Sequence, residues 1–234
     1  IILKFFFPML LTNMLQQIYT IADTMIVGKG LGDNPLAAVG NMSSLTFFII
    51  GFSLGLTNGF SVSIAQAYGA KNGDALKKAV ASSVILSTII TVLLTAISVI
   101  FLHPVMIMLQ TSEVIMADSL LYGYIIFGGL FSTIAYNLCA SILRALGDSK
   151  TPFIAIIFST IFNIVFNWVS IYILHMGVEG PAAVTILSQI ISAAICFAKL
   201  RKIEDIRLTK EHFRDNVKVY LELLKNGIPM AIMN

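Results

Sequence analysis

This sequence predicts an all-α integral membrane protein built as a six-helix transmembrane lobe, and three observations carry that reading. Hydrophobic residues make up 57% of the 234 and charged residues only 12%, against roughly 25% charged in an ordinary soluble domain. The mean hydropathy is +0.90. The apolar runs also continue for about twenty residues or more, long enough for helices crossing about 30 Å of hydrocarbon. Barrel strands, by contrast, alternate over about ten residues.

Six spans follow in order, over residues 5–27, 36–68, 78–101, 115–143, 152–174 and 181–199. The first opens on FFFPML and continues straight into a long apolar run. It lacks a basic head and a small-residue cleavage site, so it is read as a span and not as a signal peptide. The second is long enough to tilt or to project from the membrane. Its Gly51, Gly55 and Gly59, four residues apart, allow another helix backbone to come close. His103-Pro104 is expected to end the third span. The histidines are isolated from one another, and Cys139 and Cys196 lie in apolar spans without CxxC spacing. Both cysteines are read as packing residues.

Charge orients the spans. Lys4, Lys71, Lys77, Lys78, Arg144, Lys150 and every basic residue from Lys199 onward fall on one side, leaving Lys29 as the exception among 15. The positive-inside rule then puts the N-terminus and the 200–226 linker in the cytoplasm. Within that linker, Phe213, Val217, Tyr220, Leu221 and Leu224 share a helical face. An amphipathic helix over 209–225 is therefore expected along the cytoplasmic surface. The last ten residues, KNGIPMAIMN, match KFFFPMLLTN (4–13) at Lys, Pro, Met and Asn. Such a repeat suggests a first half of twelve spans: a lobe over 1–199, a linker over 200–225, and the start of a seventh helix over 226–234.

The first span carries Asp23 close to its far end. An ionisable side chain in hydrocarbon costs roughly 2.5–3.5 kcal/mol on insertion scales, so it marks a functional site by default. Thr12, Gln16, Tyr19 and Asp23 share one helical face, with Asn13, Gln17, Thr20 and Thr24 beside it. Gln16 on this stripe is a candidate for lining a substrate cavity. The fifth span puts Thr160, Asn163, Asn167 and Ser170 on one face. Asp23 and Asn167 each lie 15 residues beyond a proline, Pro8 and Pro152, which places both roughly 22 Å along the helix axis. Thr185 falls near the same level on the sixth span. A carboxylate, two amide oxygens and a hydroxyl there suit a proton, a hydronium or a small hard cation such as Na⁺. They offer no soft or imidazole ligand for a transition metal.

Several segments in order resemble the multidrug and toxic compound extrusion (MATE) family of cation-coupled antiporters. They are Pro8 with IADTMIVGKGLGDNPLAAVG (21–40), AQAYGAKNGDALKKA (65–79), ILRALGDSKTPF (142–153), the N-x-x-x-N of the fifth span, and GVEGPAAVTILSQ (177–189). The resemblance implies the first lobe of a two-lobe transporter in the cytoplasmic membrane. Such a protein exports amphipathic, often cationic, drugs or metabolites against inward H⁺ or Na⁺, with no other cofactor. It also implies that Asp23 is the coupling carboxylate, that Tyr19, Asn163, Asn167 and Thr185 are its polar partners, that Asn137 is a cavity residue and that Pro8 is the bend of the first helix. Asn167 stands where many members carry a second Asp. The expected partners are a small-molecule substrate, the bilayer and a second six-helix lobe within one monomer, with no nucleic acid. A lipid-linked oligosaccharide flippase has a similar architecture, but it is expected to show a basic cavity, and no Lys or Arg falls in the interior of a drawn span, Lys78 and Lys199 standing at span ends. An intramembrane enzyme needs a second acid or a nucleophile with its base, so the chain is not read as an enzyme. A purely structural subunit would have no need of Asp23.

Overall fold

The computed structural model describes the backbone of residues 2–213 and 217–233, with the side chains of residues 2–9, 12, 13 and 16 left out. The readings made on Pro8 and Gln16 therefore lie outside the described residues. Eight α-helices are described: α1 (Ile2–Leu31), α2 (Asp33–Gly69), α3 (Gly73–Met108), α4 (Glu113–Gly128), α5 (Leu130–Ala145), α6 (Lys150–Trp168), α7 (Glu179–Leu200) and α8 (Val217–Met233). A π-helical turn, Val169–Ile173, continues α6. Among the described residues, α2, α3, α6 with its π turn and α7 are each long and apolar enough to cross a membrane. The pair α4–α5 makes a further span, and α1, 30 residues long, lies against α2 and α6. The protein is an all-α, multi-pass membrane lobe.

Short connections force neighbouring helices antiparallel. A single residue, Gly32, joins α1 to α2 at φ 91°, a left-handed backbone that glycine adopts without a Cβ penalty. Asn72 caps α3 by accepting the Ala75 amide at 3.1 Å. Asp148 caps α6 from one position further out. It accepts the amides of Lys150 at 3.1 Å and Thr151 at 3.0 Å and the Thr151 hydroxyl at 2.6 Å, satisfying donors that open the helix.

Four features differ from the sequence-based expectation. The fourth span is two helices bent by 43°. The break falls at Gly128-Gly129, where a Cβ on Gly129 would overlap Ile186 of α7, so a close helix approach accompanies the bend. The third helix does not stop at His103-Pro104 but runs on to Met108. One proline removes one backbone bond, and the surrounding apolar run carries the helix through. Arg144 lies in the last turn of α5, not in a loop, with Nη2 donating to Ser141 Oγ at 3.2 Å and to Asn58 Oδ1 at 3.5 Å. Finally, the helix expected over 209–225 has a 3₁₀ turn at Lys210–Phe213 and then α8, unbroken across position 225. Val217 and Leu221, on the face expected along the membrane surface, are 67% and 63% exposed, as residues turned toward a bilayer and not toward the lobe. The buried residues are Leu223, Gly227 and Ala231.

That burial answers the glycines of α2. A Cβ at Gly55 would run into the backbone of Met230 and Ala231, and one at Gly59 into Gly227 and Asn226. Backbone therefore meets backbone, as small residues allow in membranes. Phe60 and Leu56 close over Leu223 and Ala231, and Asn226 Nδ2 donates to Ser63 Oγ at 3.0 Å. Elsewhere one apolar cluster fills the basic end (Ile64, Leu76, Leu143, Ile156, Leu200). Another fills the opposite end (Val27, Met42, Leu102, Phe127, Ile171). Large apolar side chains such as Phe47, Phe48 and Ile100 point outward, as a lipid-facing surface requires.

Gly59→Ala should lower the detergent melting temperature by an amount equivalent to about 1–3 kcal/mol of overpacking. Gly69→Ala, which meets nothing within 4 Å, should leave it unchanged. Asp148→Ala should cost about 1 kcal/mol of helix capping. Partial burial pushes the Asp148 carboxyl up, but the hydroxyl and amide of Thr151, Lys199 and the Lys150 amide together hold it below the ordinary carboxylate value. A depressed carboxyl stabilises the fold above its unfolded value of about 3.9 and stops doing so as pH falls through its lower folded value. Wild type and Asp148→Ala should therefore converge in stability below about pH 4, which melts across a pH series measure.

Candidate functional site

Asp23 lies two turns from the end of α1, one turn before Val27, and Asn167 lies one turn before Ile171. Val27 and Ile171 belong to the same apolar cluster, so its packing holds the two polar residues at one level and shields them from that end. Asp23 is 8% exposed, and Asn163 and Asn167 are fully buried. Asn167 Nδ2 donates to Asp23 Oδ1 and also to Asn163 Oδ1 at 2.9 Å. The i, i+4 asparagines thus act as a unit, one positioning the other. Asn167 Oδ1 and Asn163 Nδ2 are buried without a hydrogen-bond partner.

Of the four groups expected at one depth, Asp23, Asn167 and Asn163 join, and Thr185 bonds elsewhere. Asp23 meets Asn167, while Tyr19, one turn earlier on α1, shares a 3.2 Å hydrogen bond with Thr185 of α7. The sidewall is completed by Ser170, whose hydroxyl donates to the Asn167 carbonyl at 2.9 Å. Gly180 of α7 leaves room there, since a Cβ would stand 2.9 Å from Ser170 Oγ. Thr160 is buried on the same face of α6. Asn137 is buried in α5, but it makes no hydrogen bond to this group and its Nδ2 has no partner.

Tyr122 of α4 was not found by reading the sequence. It is 8% exposed and within electrostatic reach of both Asp23 and Tyr19. The signal was a phenol inside the apolar run SLLYGYIIFGG. Tyr122 and Tyr124 stand two apart, on opposite helix faces, and the sequence does not say which turns inward. Tyr124 is 41% exposed. Along α1, Gln17, Thr20 and Thr24 are also exposed, so the polar stripe runs from the buried acid onto the outside of the lobe.

Chemically, the site holds one carboxyl, amide and hydroxyl oxygens, and no cationic side chain hydrogen-bonded to the acid among the described residues. Asn167 Oδ1, a buried oxygen without a donor, beside a carboxylate fits a proton-bearing group or a hard monovalent cation and not a soft metal.

A multi-pass helical lobe with an ionisable site in its interior is the class these features define. The MatE family model matches residues 8–169, and the chain belongs to that family of transporters, the MATE family. It is 32% identical to the probable multidrug resistance protein YoeA of Bacillus subtilis, covering 97% of this chain and 51% of that protein. It is 28% identical to the probable multidrug resistance protein NorM of Thermotoga maritima, covering all of this chain and 51% of that one. Crystal structures of MATE in the straight and bent conformations both superpose with a TM-score of 0.90 at 27% identity. They cover 99% and 96% of this chain and 52% and 50% of those chains. The chain spans about half the length of the relatives it matches.

A double-mutant cycle tests the geometry without a transport assay. Asp23→Ala and Asn167→Ala should couple by about 1–3 kcal/mol in thermal stability, since each removes the other's buried partner. Tyr19→Phe, whose hydroxyl bonds elsewhere, should add to Asn167→Ala within about 0.5 kcal/mol; a large coupling there would mean the two pairs are one network.

Proposed function

We propose that this lobe couples H⁺ or Na⁺ entry to export of amphipathic, often cationic, drugs or metabolites across the cytoplasmic membrane. The observation that carries the reading is the Asp23–Asn167 contact: a carboxyl buried inside a membrane lobe, held by an uncharged amide. Structure alone gives no return for such a group, because a satisfied apolar pair would cost less. A site whose charge must change has use for it. The ion is a transported species here. With one carboxyl and Asn167 in place of a second acid, the site carries at most one negative charge, and one proton or one Na⁺ neutralises it. Ionised, Asp23 accepts from Asn167 Nδ2; protonated, it has in Asn167 Oδ1 a buried acceptor within the same amide. Tyr19 and Thr185 hold α1 against α7 one turn away, so a change at Asp23 bears on how α1 packs.

Family membership supports export. So do the relatives' names, among them the probable multidrug resistance proteins and a protein called FAD transporter in Shewanella oneidensis, 23% identical over 100% of this chain and 53% of that protein. Substrate would sit against the exposed part of the α1 stripe and face a second six-helix lobe of the same monomer, of which α8, starting at Val217, is the first helix. Asn137 is a cavity residue on this reading. The charge asymmetry supports a cytoplasmic N-terminus and a cytoplasmic 200–216 segment.

Asp23→Asn in the complete two-lobe protein keeps the shape and removes the titratable charge. In proteoliposomes it should insert and melt like wild type while losing gradient-driven export, as expected for a functional intramembrane charge. Undiminished export under an imposed H⁺ or Na⁺ gradient would remove Asp23 from the coupling role.

A further inference from the structure

A cavity of about 1020 Å³ lies between α3, α5, α7 and the segment that follows α7. No lining residue comes from α1, α2, α6 or α8, so it is separate from the Asp23 site. Its walls are α3 from Val80 to Val92 and α5 from Phe131 to Ile142, about 18 Å and 16 Å of helix at 1.5 Å per residue. Half of a 30 Å hydrocarbon core is about 15 Å. The slot therefore runs the depth of one leaflet. Its walls are mostly apolar: Thr88 and Thr91 turn their hydroxyls into their own helix, onto Val84 and Ser87 carbonyls at 2.8 and 2.6 Å, and the buried Ser87 hydroxyl is the polar atom left without a partner among them. Phe131 and Phe197, 54% and 56% exposed, stand along it.

The end of the slot is charged. Arg201, Lys202 and Arg207 line it with a single acid, Glu204, leaving a net positive rim. All three basic side chains are exposed. Among the described residues none of them has an acid within salt-bridge distance.

We propose that this slot binds one anionic glycerophospholipid from the leaflet on the basic side, with an acyl chain between α3 and α5 and the phosphate on Arg201, Lys202 and Arg207. The depth of one leaflet suits the chain, and the free cations at interfacial height suit the phosphate. Neither a water-soluble anion, which has no use for the apolar walls, nor a neutral lipid, which has no use for the rim, meets both. The inference rests on the membrane fold and on the charge segregation, not on the role of Asp23, so its failure leaves the coupling reading untouched.

The test is native mass spectrometry of the complete protein exchanged into micelles carrying equal phosphatidylglycerol and phosphatidylcholine. Wild type should retain phosphatidylglycerol over phosphatidylcholine by about fivefold or more, since one basic residue near such a headgroup is worth about fivefold. Arg201→Gln/Lys202→Gln/Arg207→Gln, all surface changes that leave the melting temperature in place, should reduce that preference to about twofold. Ala135→Phe, which narrows the slot without touching the rim, should lower retention of both lipids. Excess glycerol phosphate should not compete. An absent preference in wild type, or a preference unchanged in the triple variant, overturns the proposal. Retained lipid displaced by tetraphenylphosphonium but not by added phosphatidylglycerol also overturns it and assigns the slot to cargo.

Discussion

The polar centre of this lobe is organised around one carboxyl, Asp23. A buried Asp in a medium of low dielectric needs a partner at hydrogen-bond distance, and the partner is an amide on a helix 144 positions further along the chain. For that contact to form, α1 and α6 must lie side by side in one register. Asn163 orients the amide from one turn below, and Ser170 takes up the Asn167 carbonyl from just under one turn above. The π turn begins two residues after Asn167. Insertions of this kind are frequent at functional sites, because they re-aim a helix face without breaking the helix. Here the widened turn carries Ile171 into the seam beside Gly30, where a Cβ would overlap it. The end of α1 is thereby pressed against the part of α6 that bears the amide.

The remainder of the lobe is held by a different device. In lipid, apolar burial does little to drive helices together, so association relies on close backbone approach and on interhelical hydrogen bonds. The seam of α2 and α8 has both, with Gly55, Gly59 and Gly227 removing side chains from the contact and Asn226 reaching Ser63. The bent α4–α5 span uses Gly129 in the same way against Ile186. These contacts are steric and insensitive to charge. Those around Asp23 are polar and depend on it.

Much of this was legible in the residues. Continuous apolar runs gave the spans to within a few positions, because hydrophobic length is a strong constraint in a bilayer. Asp23 announced itself by its cost, and the shared depth of Asp23 and Asn167 followed from counting residues along two parallel helices. What could not be read were choices that depend on a neighbour. Whether Tyr122 or Tyr124 faces inward is set by Met42 and Leu102 packing on Gly123. The face of α8 that packs on the lobe is set by the glycines of α2, which the sequence of α8 alone does not reveal. The break at Gly128-Gly129 looked like two more residues of a long span. Pro104 looked like a helix end, although the surrounding run was apolar enough to carry the helix past it.

The two kinds of contact divide the lobe into parts of unequal response. Glycine contacts join α2 to α8 and the α4–α5 break to α7, and they carry no group that a proton or a cation would charge. Beside them, α1 is attached through Asp23 to Asn167, Tyr19 to Thr185, and the apolar contacts near Val27. Neutralising Asp23 alters the first of these directly. The second is a bond between neutral hydroxyls, but Tyr19 stands within electrostatic reach of Asp23, so it too feels the change. An ion at Asp23 therefore acts first on the upper turns of α1, between Tyr19 and Leu31, and not on the lobe as a whole. On the proposed coupling reading, the exposed Thr20 and Thr24 ride on that same stretch, so the surface offered to cargo is the surface the ion can move.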